Sequence, residues 1–284
     1  MKQKRWLLVD LMNLFHRGFA VGYETPNELV EWIVHKVNRI AHRTDSFPIF
    51  FSEKGKPHIP QRVKEVLKKK YKGSREKSPT SKGWSWLKAQ TVFRESVSLL
   101  SRVATVMEFP HLEADVLIAW KTRQLRERGE EVLILSSDKD LLQLLPLGVK
   151  ILRMRQGGKI SVVSSSSRFW EILESPCPFS PWAIGIFRLL VGDKSDNLSG
   201  VRGIGPKKAG TLLSALPEDL LIDVALEEKR PSEVIPVVDE EKEYLDVVFP
   251  FINLLVPKLP EGFNEKAATL SQFPHKSVAS LLFR

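Results

Sequence analysis

The chain has 284 residues, long enough to bury a sizeable core in one large or two small domains, and its 43% hydrophobic and 27% charged residues have the balance of a globular protein rather than a disordered one. Its 43 Lys and Arg against 34 Asp and Glu give a formal net charge of +9, and its one cysteine, Cys177, excludes an internal disulfide. No apolar run approaches the ~18 residues of a membrane span, and the basic-then-apolar start, MKQKRWLLVD, is cut by Asp10 too soon for a signal peptide, so a reducing, cytoplasmic setting is expected.

RWLLVD (5–10) is a short apolar run ending on an acid and reads as a buried strand. A polar turn is expected next. From 28 to 43, Leu29, Val30, Ile33, Val34, Val37, Ile40 and Ala41 recur at helical spacing, with one face buried. FPIFF (47–51) reads as a second strand, followed by Glu53. Residues 54–82 hold eleven Lys and Arg against Glu65 and Glu76, a surplus equal to the net charge of the whole chain. A solvated helix would interleave acids with its lysines, so this block marks a polyanionic partner. A helix is predicted from near Pro60, bounded by the Gly/Ser/Pro-rich stretch 73–83.

A helix over about 86–102 and a short apolar stretch at 103–109 come next. Residues 113–129 form an amphipathic helix with acids in its first turn, basic residues in its last and Gly129 as its cap. EVLILSSDKD (131–140) is a strand running into two aspartates, and VKILRMR (149–155) is another, with KISVVS as its hairpin partner beyond Gly157-Gly158. This alternation predicts an α/β fold with a mostly parallel central sheet and helices on both faces. Beyond Pro181 the pattern turns helical, and the tail after about 235 is proline-studded and apolar.

Asp10, Glu53 and Asp138 follow predicted strands, and Asp140 lies two residues beyond Asp138. Ligand sites of open α/β sheets lie at the carboxyl ends of the strands, so these acids should converge there. Glu113 and Asp115 open a helix, and Asp193 and Asp196 stand three residues apart in VGDKSDNLSG. Clustered carboxylates need compensation, either a shared proton, as in glycosidases, or a hard divalent cation. No histidine or cysteine accompanies them, which favours Mg²⁺ or Mn²⁺ over zinc. Eight carboxylates suffice for two ions about 4 Å apart, the arrangement that cleaves phosphodiesters.

GVRGIGPKKAG is neither a Walker phosphate loop, because Pro206 rather than Lys follows Gly205, nor a dinucleotide fingerprint, because position 208 is Lys. Gly203-Ile204-Gly205 instead reads as a tight turn between two helices, with Pro206 in the first turn of the second. Backbone N–H groups at such a start bind phosphate, and Lys207 and Lys208 add charge.

The ordered set LLVDLMNL, FFSEKGKP, YKGSREK, LEADV, SSDKD and GDKSDNLSGVRGIGPKKA resembles the 5′-nuclease or flap endonuclease family, which includes the 5′-3′ exonuclease domain of bacterial DNA polymerase I and the phage 5′-nucleases; the match spans about residues 5–215. The resemblance implies an α/β, PIN-like nuclease core over 1–175. It also implies a basic helical arch at about 61–97 that admits the single strand, and a mainly helical DNA-binding region over 176–284 with a helix-hairpin-helix at about 185–215. It implies a structure-specific 5′ nuclease that hydrolyses DNA at 5′ flaps and single/double-strand junctions with two Mg²⁺ or Mn²⁺ ions, in DNA replication or repair. RNA–DNA hybrids as further substrates, K⁺ at the helix-hairpin-helix, a monomer and a bacterial or phage-type intracellular setting belong to the same implication.

Carried over by position, Asp10, Glu113, Asp115 and Asp138 resemble ligands of a first metal, and Asp138, Asp140, Asp193 and Asp196 the acids around a second. Lys72 matches the arch lysine that contacts the scissile phosphate, with Arg75 one helical turn away. Lys68, Lys69, Tyr71, Gly203, Gly205, Lys207 and Lys208 fall in the DNA-contacting stretches; the Tyr71 ring stacks on a base or packs internally. Two positions depart from the family pattern: Glu53 stands where Asp is usual, and Val116 where another acid is usual. The alternatives are a related Mg²⁺-dependent ribonuclease on the same acidic scaffold and a non-catalytic or weakly catalytic protein that binds DNA junctions.

Overall fold

The computed structural model describes residues 3–67 and 86–270. In chain order the elements are β1 (Arg5–Asp10), α1 (Leu11–Val21), α2 (Pro26–Thr44), β2 (Phe47–Phe51), α3 (Gln61–Leu67), α4 (Trp86–Ser101), β3 (Val106–Met107), α5 (Ala114–Glu127), β4 (Glu131–Leu135), β5 (Lys150–Met154), β6 (Ile160–Val163), α6 (Phe169–Ile172), α7 (Ile184–Val191), α8 (Pro206–Ser214), α9 (Glu218–Ala225), α10 (Pro231–Val234), α11 (Asp239–Ile252) and α12 (Glu265–Ala268).

The described strands form one sheet in the order β3-β2-β1-β4-β5-β6. All pairings are parallel except β5 with β6, the hairpin expected across Gly157-Gly158. Side chains of a strand alternate between faces. In β1, Leu7 and Val9 therefore join a core with Leu14, Leu29, Ile33 and Phe93 from α1, α2 and α4, while Leu8 joins Leu117, Ile118, Ile186 and Val248 from α5, α7 and α11 on the other face. The central strands β1 and β4 and the end of β2 are buried on both sides, which is why they read as continuous apolar runs, whereas β6 at the edge is largely exposed. The α/β fold with a mostly parallel sheet and helices on both faces is thus observed.

Three local readings change. Where only a polar turn was expected between β1 and α2, residues Leu11–Val21 form α1, because the Asp10 carboxylate accepts the Asn13 N–H (3.1 Å) and caps the helix while Leu11, Leu14 and Phe15 bury on the sheet. The helix over 113–129 ends at Glu127 with Arg128 as its cap, and Gly129 (φ +73°) is the residue that then reverses the chain. The tail beyond 235, read only as apolar and proline-studded, contains α11, whose Tyr244, Leu245, Val248, Phe249 and Ile252 complete the core beside α7. Of the expected arch, α3 and α4 are described; Lys68, Lys69, Tyr71, Lys72 and Arg75 lie outside the described residues.

Candidate active site

β1 lies between β2 and β4, so the chain winds outward from it in both directions. In such sheets a crevice opens at the carboxyl ends of the two strands that flank the reversal. Val9 stands opposite Leu135 in the parallel register, and one step further Asp10 meets Ser136. The Ser136 hydroxyl donates to Asp10 Oδ2 at 2.7 Å, and the Asn13 N–H to Oδ1. Burial works against these two bonds and, with the negative charges of Asp138 and Asp115, pushes the Asp10 carboxyl up to about 7.

Ser136 also shapes the next turn. Its Oγ accepts the Asp138 N–H at 3.0 Å, and Asp138 Oδ1 accepts the Asp140 N–H at 3.0 Å. Both aspartates are thereby held at the mouth of β4, and Asp140 starts the short 3₁₀ stretch Asp140–Leu147. Burial drives the Asp140 carboxyl well above its usual range; the Arg188 charge opposes this, and Asp138, Asp196 and Asp115 reinforce it. Asp115 occupies the first turn of α5, accepting the Val116 N–H at 2.9 Å. Glu113 is the residue that precedes α5, and Glu53 lies two residues past β2; both are partly buried.

The stretch VGDKSDNLSG folds back on itself. Asp193 and Leu198 pair as an antiparallel bridge, and the Gly200 N–H reaches the Tyr244 hydroxyl of α11 at 3.1 Å. Gly192 (φ 78°, ψ 173°) adopts a conformation open essentially to glycine alone, and a Cβ there would stand 2.6 Å from the Gly200 nitrogen. This fold-back delivers two acids to the crevice. Asp196 is 1% exposed. At Asp193 burial pulls the carboxyl upward, but bonds from Ser195 Oγ (2.6 Å) and N–H (2.7 Å) and the Arg188 charge outweigh it and hold the group below its usual value.

Arg188 was not among the residues singled out from the sequence. It sits in α7 at 6% exposure, and its Nη2 lies 2.6 Å from Asp140 Oδ1, 3.4 Å from Asp193 Oδ2 and 3.7 Å from Asp196 Oδ2. The available signal was a single charge inside the apolar run IGIFRLLV, which a buried helix tolerates only with a partner. Ser136, read merely as part of a strand end, was also missed.

Asp10, Asp115, Asp138, Asp140, Asp193 and Asp196 are therefore linked through one electrostatic neighbourhood, in which Arg188 pairs with Asp140, Asp193 and Asp196. Among the described residues, no three His, Cys, Asp or Glu side chains stand in a preformed metal-ligand cluster. The donor set fits a hard divalent cation all the same. It is made of carboxylate oxygens, and two of its members are so poorly compensated that burial raises their pKa values, a deficit of positive charge that such a cation would fill.

Beyond this loop, Gly203 (φ +77°) turns the chain and Gly205 precedes α8, with Pro206 as its first residue. Lys207 and Lys208 are exposed on the first turn, while Ala209 and Leu213 pack into the core shared with α7. Residues 192–205 separate α7 from α8, a longer connection than the tight turn expected at Gly203-Ile204-Gly205. Among the described residues no helix is long and apolar enough to cross a membrane.

Residues 5–169 match the model of the 5′-3′ exonuclease N-terminal, resolvase-like domain. A 5′-3′ exonuclease of Mycoplasmopsis pulmonis is 30% identical over 219 residues, covering 75% of this chain and 67% of that protein. DNA polymerase I of Borreliella burgdorferi is 25% identical over 97% of this chain, which spans 30% of the polymerase. A 5′-3′ exonuclease of Aquifex aeolicus is 31% identical over 53% of this chain and 47% of its own length. The fold is shared with the bacteriophage T5 D15 flap endonuclease, solved with DNA and metal ions, at a TM-score of 0.63, 18% identity and 89% coverage of both chains. With its sheet, its crevice of carboxylates and more than half its length matched, the chain belongs to the 5′-3′ exonuclease family of nucleases.

Proposed function

We propose that this chain is a structure-specific 5′ nuclease that hydrolyses DNA phosphodiesters at 5′ flaps and single/double-strand junctions. The observation that carries the reading is the convergence of six aspartates at the carboxyl ends of β1 and β4, in a chain of the 5′-3′ exonuclease family. Asp10, Asp115 and Asp138, with Glu113, would hold one Mg²⁺ or Mn²⁺, and Asp138, Asp140, Asp193 and Asp196 a second, with Glu53 at the rim. When bound, such ions supply Lewis-acid charge and water acidified enough to be deprotonated near neutral pH.

The chain's own residues do the rest. Ser136 and Asn13 fix the Asp10 carboxylate, and the Ser136-Asp138-Asp140 chain of bonds orients the next two acids. Water displaces the 3′-oxygen at phosphorus, and Lys72 with Arg75 offsets charge on the phosphate. The region from 176 onward serves as the duplex-holding half. There the Gly203–Gly205 turn and α8, with Lys207 and Lys208, grip the DNA backbone as a helix-hairpin-helix, K⁺ assisting, while Lys68, Lys69 and Tyr71 receive the single strand. We place the activity in DNA replication or repair, with a monomer as the working unit and RNA–DNA hybrids within its substrate range.

The test is incubation with a 5′-flap duplex and a matched single strand, in Mg²⁺ and then in EDTA. Flap cleavage that EDTA abolishes is expected. Absence of metal-dependent cleavage of either substrate would sink the reading.

A further inference from the structure

We propose that Arg17, Arg153 and Arg155 form a phosphate-binding subsite beside the carboxylate crevice, which takes a backbone phosphate one or two nucleotides from the linkage that is cleaved. The proposal rests on the nuclease reading above and concerns where the bound strand is held next to the reacting phosphate.

The three guanidinium groups gather at the carboxyl ends of β4 and β5. Arg17 of α1 donates from Nη2 to Ser137 Oγ at 2.8 Å, and Arg153 of β5 donates from Nη2 to the Ser137 carbonyl at 3.0 Å. Arg155, exposed just past the end of β5, donates from Nε to Ser161 Oγ at 3.1 Å. Lys36 of α2 adds charge at the same hairpin, its Nζ 3.5 Å from where a Cβ on Gly158 would stand. Among the described residues, none of these four cations forms an ion pair with a carboxylate. At Arg153, burial and then the Arg155 and Arg17 charges hold the pKa below the usual arginine value, against the opposing charge of Asp138. A guanidinium offers five donors in a planar fork and keeps its charge at every working pH. Bracing Ser137 engages one nitrogen each of Arg17 and Arg153, and the Arg153 Nε–H is buried without an acceptor. Like charges gathered without counter-ions attract an anion, and forked donors match the oxygens of a phosphate.

Placement selects which phosphate. Ser137 directly precedes Asp138, and β5 pairs with β4 on the side away from β1. Neighbouring strands stand ~4.8 Å apart, so the cluster lies about one strand spacing beyond the β4 acids. A duplex strand advances ~3.4 Å per nucleotide, which makes the phosphate within reach the first or second along from one above Asp138.

The experiment binds the full chain in EDTA to 5′-flap duplexes that carry one neutral methylphosphonate at a time, read by fluorescence anisotropy. In the wild type, one position within two nucleotides of the cleaved linkage should weaken binding at least threefold. The double variant Arg153→Gln with Arg155→Gln should bind the unmodified flap more weakly and show no further loss at that position. Arg153→Lys, which keeps the charge, should retain the wild-type loss. If the double variant fails to fold, Arg155→Gln alone, at an exposed residue, should shrink the loss at the same position. A wild type indifferent to every methylphosphonate in that window would overturn the proposal. So would a loss of the same size in the wild type and the glutamine variants, because the arginines would then only brace Ser137. In both cases, metal-dependent flap cleavage by the wild type would leave the nuclease reading standing. A wild type that neither binds nor cleaves the flap would overturn the two together.

Discussion

Replacing Asp10 by Asn should make the metal-free protein more stable at pH 8. The Asp10 carboxyl is raised from 3.8 to about 7, chiefly by burial. Its folded pKa exceeds its unfolded one, so its contribution to stability is fully present below pH 3.8 and is lost as pH rises through about 7. A shift of ~3 units corresponds to ~4 kcal/mol of destabilisation above that range. Asn offers one acceptor oxygen where the carboxylate has two, engaged by Ser136 and Asn13, and losing one such bond costs about 1 kcal/mol. Asp10→Asn should therefore stabilise the chain by roughly 3 kcal/mol at pH 8 and leave it slightly weaker at pH 4. Urea unfolding in EDTA at both pH values measures this, and added Mn²⁺ should reverse the order at pH 8 by stabilising the wild type alone. A wild type whose stability stays flat from pH 4 to 8, or an Asp10→Asn variant weaker at pH 8, would refute the reasoning.

Asp138→Asn should reduce flap cleavage by on the order of 10²- to 10³-fold while affinity for the uncleaved junction stays near wild type; equal loss of both would make Asp138 a folding residue. The double change Lys207→Ala with Lys208→Ala should weaken duplex binding for every sequence and lower the salt slope of binding by about two, read by fluorescence anisotropy across a salt series. An unchanged slope would remove both lysines from the phosphate contacts. Gly192→Ala places a Cβ 2.6 Å from the Gly200 nitrogen at φ 78°, and should cost roughly 3 kcal/mol in denaturant unfolding. An unmoved midpoint would mean the loop relaxes around the side chain.

Much of the sheet was legible in the sequence. RWLLVD, FPIFF and EVLIL are apolar runs because parallel strands are buried on both faces, and each leads into an acid because strand ends open onto the crevice. Helix α2 was equally plain, its apolar side chains recurring at the spacing that covers one face of the sheet. Helix α1 went unread although Leu11, Leu14 and Phe15 recur at helical spacing with Asn13, His16 and Arg17 on another face; its start directly abuts β1 and depends on a cap supplied by Asp10, itself a strand residue. Helix α11 carries Pro250 within it, which argues locally against a helix until its packing beside α7 is known.

By itself the sequence determined where the acids stand along the chain and the alternation of strands and helices, because residue type and period are local properties of the chain. Which acids share a counter-charge was decided only by the tertiary structure. Asp140, Asp193 and Asp196 come from different parts of the fold, and the Arg188 side chain that joins them lies on a helix buried all round, where no periodicity marks the direction it faces. Partner choice among distant charges depends on how α7 docks against the mouth of the sheet, a through-space relation that spacing along the chain does not encode.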